Sequence, residues 1–354
     1  VMRALILHGY SADNLGDGLL MDEAIELVRD ALGRDCEVDL AASRPASFND
    51  RDATVFSSNP RHLLRSNSLY RQLLRHPRYD LVVGVGGGYL RGKSLVETAR
   101  TFVVHGPQLL FAALTRAPAV YLPQSVGPFH GAVWPVMRQL LGRVSTVYVR
   151  DDRSREELRT RNALRMSDLA VGLGPGEVES TQPSGRYVLS VRAVDGEVPR
   201  PVVELARLLN QFDGYVQSAT GTNDDRAAMA SVCPVEVIPR GTLGGMSPRV
   251  IAAVRLHAAL IALSAGHYVV HLAYERKGWG AFADLGLDDF VHNSKAFEPA
   301  MVFGQLEQLR ASPELRAEYR RRVAAGRVKA AAQRSVILER LREAVRGNNK
   351  DERL

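Results

Sequence analysis

Short apolar, β-branched runs alternate with helical stretches along nearly the whole chain, and that alternation limits the available folds more than any other feature. Strand-length runs separated by helix-length segments are the pattern of βαβ units and mostly parallel sheets, an α/β protein. In the first half, strands are expected at 3–8, 54–57, 81–85, 119–122 and 146–149, with helices around 18–32, 61–75, 106–116, 133–142 and 153–161. Segment 41–60 is polar and reads as loop around its one short strand. The alternation is interrupted at 172–186, where Gly172, Gly174, Pro175, Gly176, Pro183, Ser184 and Gly185 crowd together. It restarts with strands at 187–191, 214–217, 235–238, 250–254 and 268–272 and helices at 200–210 and near 223–231. The expected organisation is a Rossmann-like domain over 1–171, a linker over 172–186, a second Rossmann-like domain over 187–300 and a helical tail over 301–354.

With 354 residues, the chain can bury two cores without disulfides or metals as staples. Its two cysteines, Cys36 and Cys233, form neither a disulfide framework nor a zinc spacing. No apolar stretch approaches membrane-spanning length, and the expected location is cytoplasmic, with or without association with the inner face of the membrane. The net charge of +7 is unevenly spread: residues 301–354 hold 13 Lys and Arg against 7 Asp and Glu, leaving 33 against 32 in the first 300. A nearly neutral body with 6% aromatic residues argues against nucleic acid as a partner. Ser312-Pro313 reads as a helix start, and Leu315, Tyr319, Val323, Ile337, Leu341 and Val345 give a broken apolar stripe. The bland reading is a long helix with a solvated basic face, and the sharper one is a helix over 313–346 in peripheral contact with an anionic membrane.

In doubly wound sheets, functional loops leave the carboxyl ends of the strands, and several unusual segments fall there. Gly9-Tyr10-Ser11-Ala12-Asp13-Asn14-Leu15-Gly16-Asp17-Gly18 follows the first strand without the spacing of a dinucleotide fingerprint. Gly86-Gly87-Gly88-Tyr89 allows close backbone approach to a ligand, or equally to a packed helix. Pro123-Gln124-Ser125-Val126-Gly127-Pro128 and Arg150-Asp151-Asp152-Arg153-Ser154 follow later strands. Arg150 could fork onto a carboxylate or phosphate, or form an ion pair or helix cap with Asp151 and Ser154. In the second half, the apolar run 250–254 stops at Arg255-Leu256-His257 before apolar helix resumes. An Arg and a His two apart at a strand–helix junction need partners if buried and suit an anion site. Tyr274-Glu275-Arg276-Lys277 offers further cations after the next strand.

Taken together these residues resemble the polysaccharide pyruvyl transferase family. The resemblance is carried by Asn14-x-Gly16-Asp17, Gly86–Gly88, Gln124-x-x-Gly127-Pro128 and Val149-Arg150-Asp151-x-x-Ser154. It continues through Arg255-Leu256-His257-Ala258 and Tyr274-x-x-Lys277, on to Phe282 and Leu285-Gly286-Leu287, and spans residues 3–292 in order. Departures fall at 241–247, where a helix is shortened, and at Pro123-Gln124-Ser125. The resemblance implies two Rossmann-like domains facing a central cleft, as in glycosyltransferases of type B, with phosphoenolpyruvate as donor and a saccharide, lipid-linked or free, as acceptor. It also implies work in cell-envelope or exopolysaccharide synthesis.

Ketal formation from phosphoenolpyruvate needs cations for a carboxylate and a phosphate, a proton for the enol carbon and two sugar hydroxyls. His257 and Arg255 are the expected catalytic pair, since an imidazole can carry a proton near neutral pH. Arg150, Arg255, Lys277, Tyr274, Gly87 and Gly88 are the expected donor-binding residues, and Asp13, Asn14, Asp17 and Gln124 the expected acceptor-binding ones. Asp13, Asp17 and Asp151 remain open as the base, with helix capping the plainer role for the latter two. No carboxylate or histidine cluster has metal spacing, so neither metal nor cofactor is expected beyond phosphoenolpyruvate as co-substrate. The competing readings are a nucleotide-sugar glycosyltransferase of the same architecture and a non-catalytic glycan-binding module.

Overall fold

A computed structural model describes residues 1–63, 65–75, 78–174, 182–219, 221 and 224–351. Residues 175–181 of the expected linker, and position 223 of the helix expected near 223–231, lie outside the described residues. The chain divides into two compact units: Val1–Ala12, Asp17–Leu169 and Ala332–Leu354 form the first, Asp13–Gly16 and Ala170–Ala331 the second.

The first unit runs β1 (Arg3–Gly9), α1 (Leu15–Leu32), β2 (Glu37–Ala42), β3 (Thr54–Ser57), α2 (Leu69–Leu74), β4 (Leu81–Gly84), β5 (Gly87–Leu90), α3 (Leu95–Leu114), β6 (Ala119–Val126), α4 (Trp134–Gly142), β7 (Thr146–Val149), α5 (Asp152–Leu158) and β8 (Ala163–Arg165). Its strands are parallel in the order β3-β2-β1-β4-β6-β7-β8, with β5 on β6. The second unit runs β9 (Tyr187–Ser190), α6 (Arg200–Leu209), β10 (Phe212–Tyr215), α7 (Arg226–Ala230), β11 (Val237–Ile238), β12 (Val250–Ala253), α8 (Leu256–Ser264), β13 (Tyr268–Ala273), α9 (Arg276–Asp284), β14 (Val291–Asn293), α10 (Pro299–Ala311) and α11 (Pro313–Asp351). Its strands are parallel in the order β11-β10-β9-β12-β13-β14.

Both sheets therefore start in the middle, wind to one edge and return to wind to the other, the doubly wound order of a nucleotide-binding fold. The winding reverses between β1 and β4 in one unit and between β9 and β12 in the other, so the loops leaving those parallel strands border a crevice in each sheet. Strands buried on both faces read as continuous apolar runs: β4 is Leu-Val-Val-Gly and β12 is Val-Ile-Ala-Ala, every residue buried.

Several elements depart from the sequence expectation: β2, β5, β8 and β14 are strands it did not include, and α2 covers only Leu69–Leu74 of the helix expected at 61–75. β2 carries Asp39 inside an otherwise apolar strand, and this carboxylate is buried because it accepts from Arg3 (2.8 Å) and Tyr79 (2.7 Å). The helix expected at 106–116 begins earlier, at Leu95, where the Ser94 hydroxyl accepts from the Glu97 amide as cap; β-branched Thr98, Thr101, Val103 and Val104 and the internal Pro107 disguise its first turns. β14 is only three residues long.

The expected start at Ser312-Pro313 is the start of α11, with the Ser312 hydroxyl accepting from the Leu315 amide at 3.1 Å. The apolar stripe of α11 is used inside the protein. Tyr319 donates to the Val269 carbonyl at 2.8 Å in the second unit, while Ile337, Leu341 and Val345 join the core of the first. Contact with lipid would accordingly rest on the basic face alone.

Candidate functional site

In the second unit, β12 ends at Ala253 and the chain turns into α8 within three residues. Arg255 occupies the N-cap position, where a guanidinium has nothing to accept with, so the first turn of a nine-residue helix has no side-chain cap from it. The dipole and amides of that turn favour an anion. Arg255 is held as a fork: its Nε and Nη2 each donate 2.6 Å to the two carboxylate oxygens of Asp225, and both side chains are buried. Burial lifts the Asp225 carboxyl above its ordinary range, an effect that the Arg255 hydrogen bonds and the charges of Arg255 and Arg192 oppose.

His257 is almost fully buried two residues further on. The segment Asp13–Gly16 belongs to this unit, although its neighbours in sequence belong to the other. Asn14 pairs with Ser218 as an antiparallel bridge and its Oδ1 accepts from Gln217 Nε2 at 3.0 Å. A Cβ on Gly16 would sit 2.2 Å from His257 Nδ1 and 2.4 Å from its Cγ, so only a glycine leaves room for that imidazole. Asp13 is exposed and its carbonyl accepts from Arg240.

At the end of β13, Tyr274 and Lys277 lie on the same sheet edge. Lys277 pairs with Glu275 at 2.8 Å, and Tyr274 accepts from Arg192 Nη1 at 2.5 Å while the Arg192 guanidinium lies 4.9 Å from its ring centroid. Arg192 and Asp225 are absent from the residues expected from sequence. Arg192 carried the signal used for Arg255, a cation immediately after an apolar strand; Asp225 sits in a polar loop and gave none. Behind this edge, His271 donates through Nδ1 to the Ala253 carbonyl (2.8 Å) and stacks on Phe282. Burial pushes its pKa down to about 4, so it is neutral at neutral pH.

The first unit gathers a different set. Arg150, at the end of β7, is buried with Asp168 as its ion-pair partner, and its Nε donates to Ser125 Oγ at 3.1 Å. Its Nη2 lies where a Cβ on Gly88 would come within 3.2 Å. Gln124 is fully buried between Gly87 and Val149 in register, and neither carboxamide atom has a partner among the described residues. Asp17 lies in the first turn of α1. Asp151 caps α5, its Oδ1 accepting from both the amide and the hydroxyl of Ser154 at 2.8 Å.

Sequence reasoning did not single out a ring cluster at the end of β1. His8 stacks on Tyr89 at 4.6 Å, lies 2.8 Å from the Tyr121 hydroxyl through Nε2 and 3.2 Å from His105 through Nδ1. Its φ of 71° places a non-glycine residue in the left-handed region, a strained choice that its neighbours enforce. Burial, and then His105, push the His8 imidazole far below its ordinary pKa; burial, and then Arg100, bring His105 to about 4.

His257, Arg255, Lys277, Tyr274, Asp13 and Asn14 thus belong to the second unit, and Arg150, Gly87, Gly88, Gln124 and Asp17 to the first. Among the described residues no three or more His, Cys, Asp or Glu side chains gather as a metal site, and no helix is long and apolar enough to cross a membrane.

The model of the family described as polysaccharide pyruvyl transferase matches residues 14–222, more than half of the sequence. The chain belongs to that family. Arg255, His257 and Lys277 lie beyond the matched residues. No curated protein matches the chain by sequence. Among solved structures, it is similar to OtsA in its apo form (TM-score 0.57, 9% identity, 96% of this chain and 99% of that one). It is likewise similar to the spinosyn rhamnosyltransferase SpnG (TM-score 0.55, 12% identity, 95% and 100%). A third is the α,α-trehalose 6-phosphate synthase of Burkholderia multivorans (TM-score 0.54, 13% identity, 99% of both). At these identities the likeness establishes the fold, which is that of type B glycosyltransferases, and leaves substrate to the site.

Proposed function

We propose that this member of the family moves the pyruvyl group of phosphoenolpyruvate onto two hydroxyls of one saccharide, forming a pyruvate ketal and releasing phosphate in cell-envelope or exopolysaccharide synthesis. The observation that carries the reading is the pairing of a carboxylate-anchored Arg255 with His257 across the start of α8, at the crevice of the second sheet. Arg255, Lys277 and Tyr274 would hold the donor's carboxylate and phosphate there, and Arg150 with Gly87 and Gly88 are the corresponding groups of the first unit. Asp225 keeps the guanidinium plane fixed, so little is lost in orienting it when an anion arrives.

In the reaction, His257 as imidazolium gives a proton to the methylene carbon of the donor while the first sugar hydroxyl adds to the adjacent carbon. The proton released by that hydroxyl replaces the one His257 gave. Phosphate then leaves, the second hydroxyl attacks the same carbon, and its proton departs with the phosphate. Neither addition needs a change of oxidation state or a cofactor. On the acceptor side we assign Asp13, Asn14, Asp17 and Gln124; Gln124, with its carboxamide unmatched, is best able to take a sugar hydroxyl as both donor and acceptor.

The test is phosphate release from phosphoenolpyruvate with a panel of diol-bearing saccharides, followed by mass spectrometry of the acceptor. The expected product is heavier by one pyruvic acid less one water. A second reading, transfer from a nucleotide sugar, is favoured by the fold likeness to a rhamnosyltransferase. It predicts nucleotide release and no consumption of phosphoenolpyruvate. A glycan-binding module would bind saccharides with no turnover of either donor.

A further inference from the structure

A run of polar contacts leads from the turn that holds Gly16 to Arg255, two residues before His257. Asn14 Oδ1 accepts from Gln217 Nε2 (3.0 Å) and lies 3.4 Å from the Gly16 amide, and Asn14 pairs with Ser218 along the backbone. The Ser218 carbonyl accepts from the Asp225 amide at 2.9 Å, and the Asp225 carboxylate takes both arms of the Arg255 fork. Arg255 and His257 flank Leu256 at the start of α8, and the Nδ1–Cγ edge of His257 lies against Gly16, two residues from Asn14.

Gly16 has no positive φ, so its backbone does not require glycine; the space taken by the imidazole does. Asn14 and Gln217 are both buried, and their bond links residues 203 apart in the chain. Asp13–Gly16 are therefore built into the second unit, with Gly16 beside the imidazole of His257.

We infer that Asn14 and Gly16 are positioning residues: the Asn14–Gln217 bond holds the Gly16 backbone against the Nδ1 edge of His257 and fixes the ring's orientation. The inference rests on His257 acting as the acid in the reaction proposed above. Misplacing a reacting group by about an ångström costs on the order of 10²-fold in turnover. Gly16→Ala must displace either the ring or the turn, and Asn14→Ala releases the turn while leaving the ring its room. Both are expected to lower kcat by about ten- to a hundredfold and to change KM for phosphoenolpyruvate little, because Arg255 keeps Asp225. Asn14→Asp retains the accepting oxygen and is expected to restore most of the loss.

The decisive measurement is the pair of imidazole ¹⁵N resonances of His257, assigned by their loss in His257→Gln, recorded beside kcat and KM in the full-length wild type and the three variants. Shifted His257 resonances in Gly16→Ala and Asn14→Ala, near-native ones in Asn14→Asp and a matching order of kcat support the inference. Unchanged resonances in both Gly16→Ala and Asn14→Ala overturn it, and if Gly16→Ala does not fold, the Asn14 pair decides. Full turnover in His257→Gln would instead remove the acid assignment, with the spectra still deciding whether the turn orients the ring.

Discussion

The two units share a strand order and differ in what they place at its crevice. In the first, the crevice edge is closed on itself: Arg150 is consumed by Asp168 and Ser125, and His8, Tyr89, Tyr121 and His105 satisfy one another as a mostly neutral ring cluster. In the second, the edge is charged: Arg255 on Asp225, Lys277 on Glu275 and Arg192 beside Tyr274, all around helix starts. Uncharged rings and an unmatched carboxamide suit hydroxyl-rich ligands, whereas forked cations at a helix start suit an anion. The same doubly wound order thus carries a mostly neutral edge in one unit and a charged edge in the other, and the side chains at the strand ends make the difference.

The comparison breaks most sharply at Arg150. Arg150→Met takes the guanidinium away from the buried Asp168 carboxylate and should cost about 3–5 kcal/mol of stability, read by denaturant unfolding. An unchanged midpoint would mean the first edge is not closed as described. Arg255→Lys keeps the charge on Asp225 but loses the fork, and should lower kcat/KM for phosphoenolpyruvate by about a hundredfold, or ~2.7 kcal/mol of transition-state stabilisation. Equal kinetics in wild type and variant would remove Arg255 from the donor side.

Acid should act on both edges. His271 and His105 have folded pKa values of about 4, below an unfolded value of about 6.5. The unfolded chain takes up their protons first, so their contribution is complete above about pH 6.5 and lost as pH falls towards 4. Thermal midpoints should fall over that window, each histidine adding a slope of up to about 1.4 kcal/mol per pH unit. His271→Asn should flatten the dependence by one proton; an unchanged slope would show that His271 is already charged in the folded state. The smallest effect belongs to the basic face of α11. Arg321→Gln and Arg346→Gln remove exposed charges and should change stability by less than about 0.5 kcal/mol, which chemical denaturation can check.

Much of this was legible before the structure. β4, β6, β7, β12 and β13 are apolar runs, and Arg255-Leu256-His257 announces itself as charge where an apolar segment breaks. What was hidden depends on partners distant in sequence. Asp39 can lie inside β2 only because Arg3 and Tyr79 reach it. Asp225 looks like any loop acid until Arg255 folds onto it, and Asn14 reads as part of the first strand's loop although its partner is Gln217. The His8 cluster escaped because a lone histidine ending a strand is more often a satisfied core residue, and nothing local places His105 and Tyr121 around it.

The central claim, that the charged edge of the second unit takes phosphoenolpyruvate, is tested most directly by calorimetric titration of the full-length protein with phosphoenolpyruvate and, separately, uridine diphosphate, in wild type and Arg255→Lys. Saturable binding of phosphoenolpyruvate that weakens markedly in the variant, with no binding of the nucleotide, is the predicted result. Tight nucleotide binding with none for phosphoenolpyruvate would contradict it.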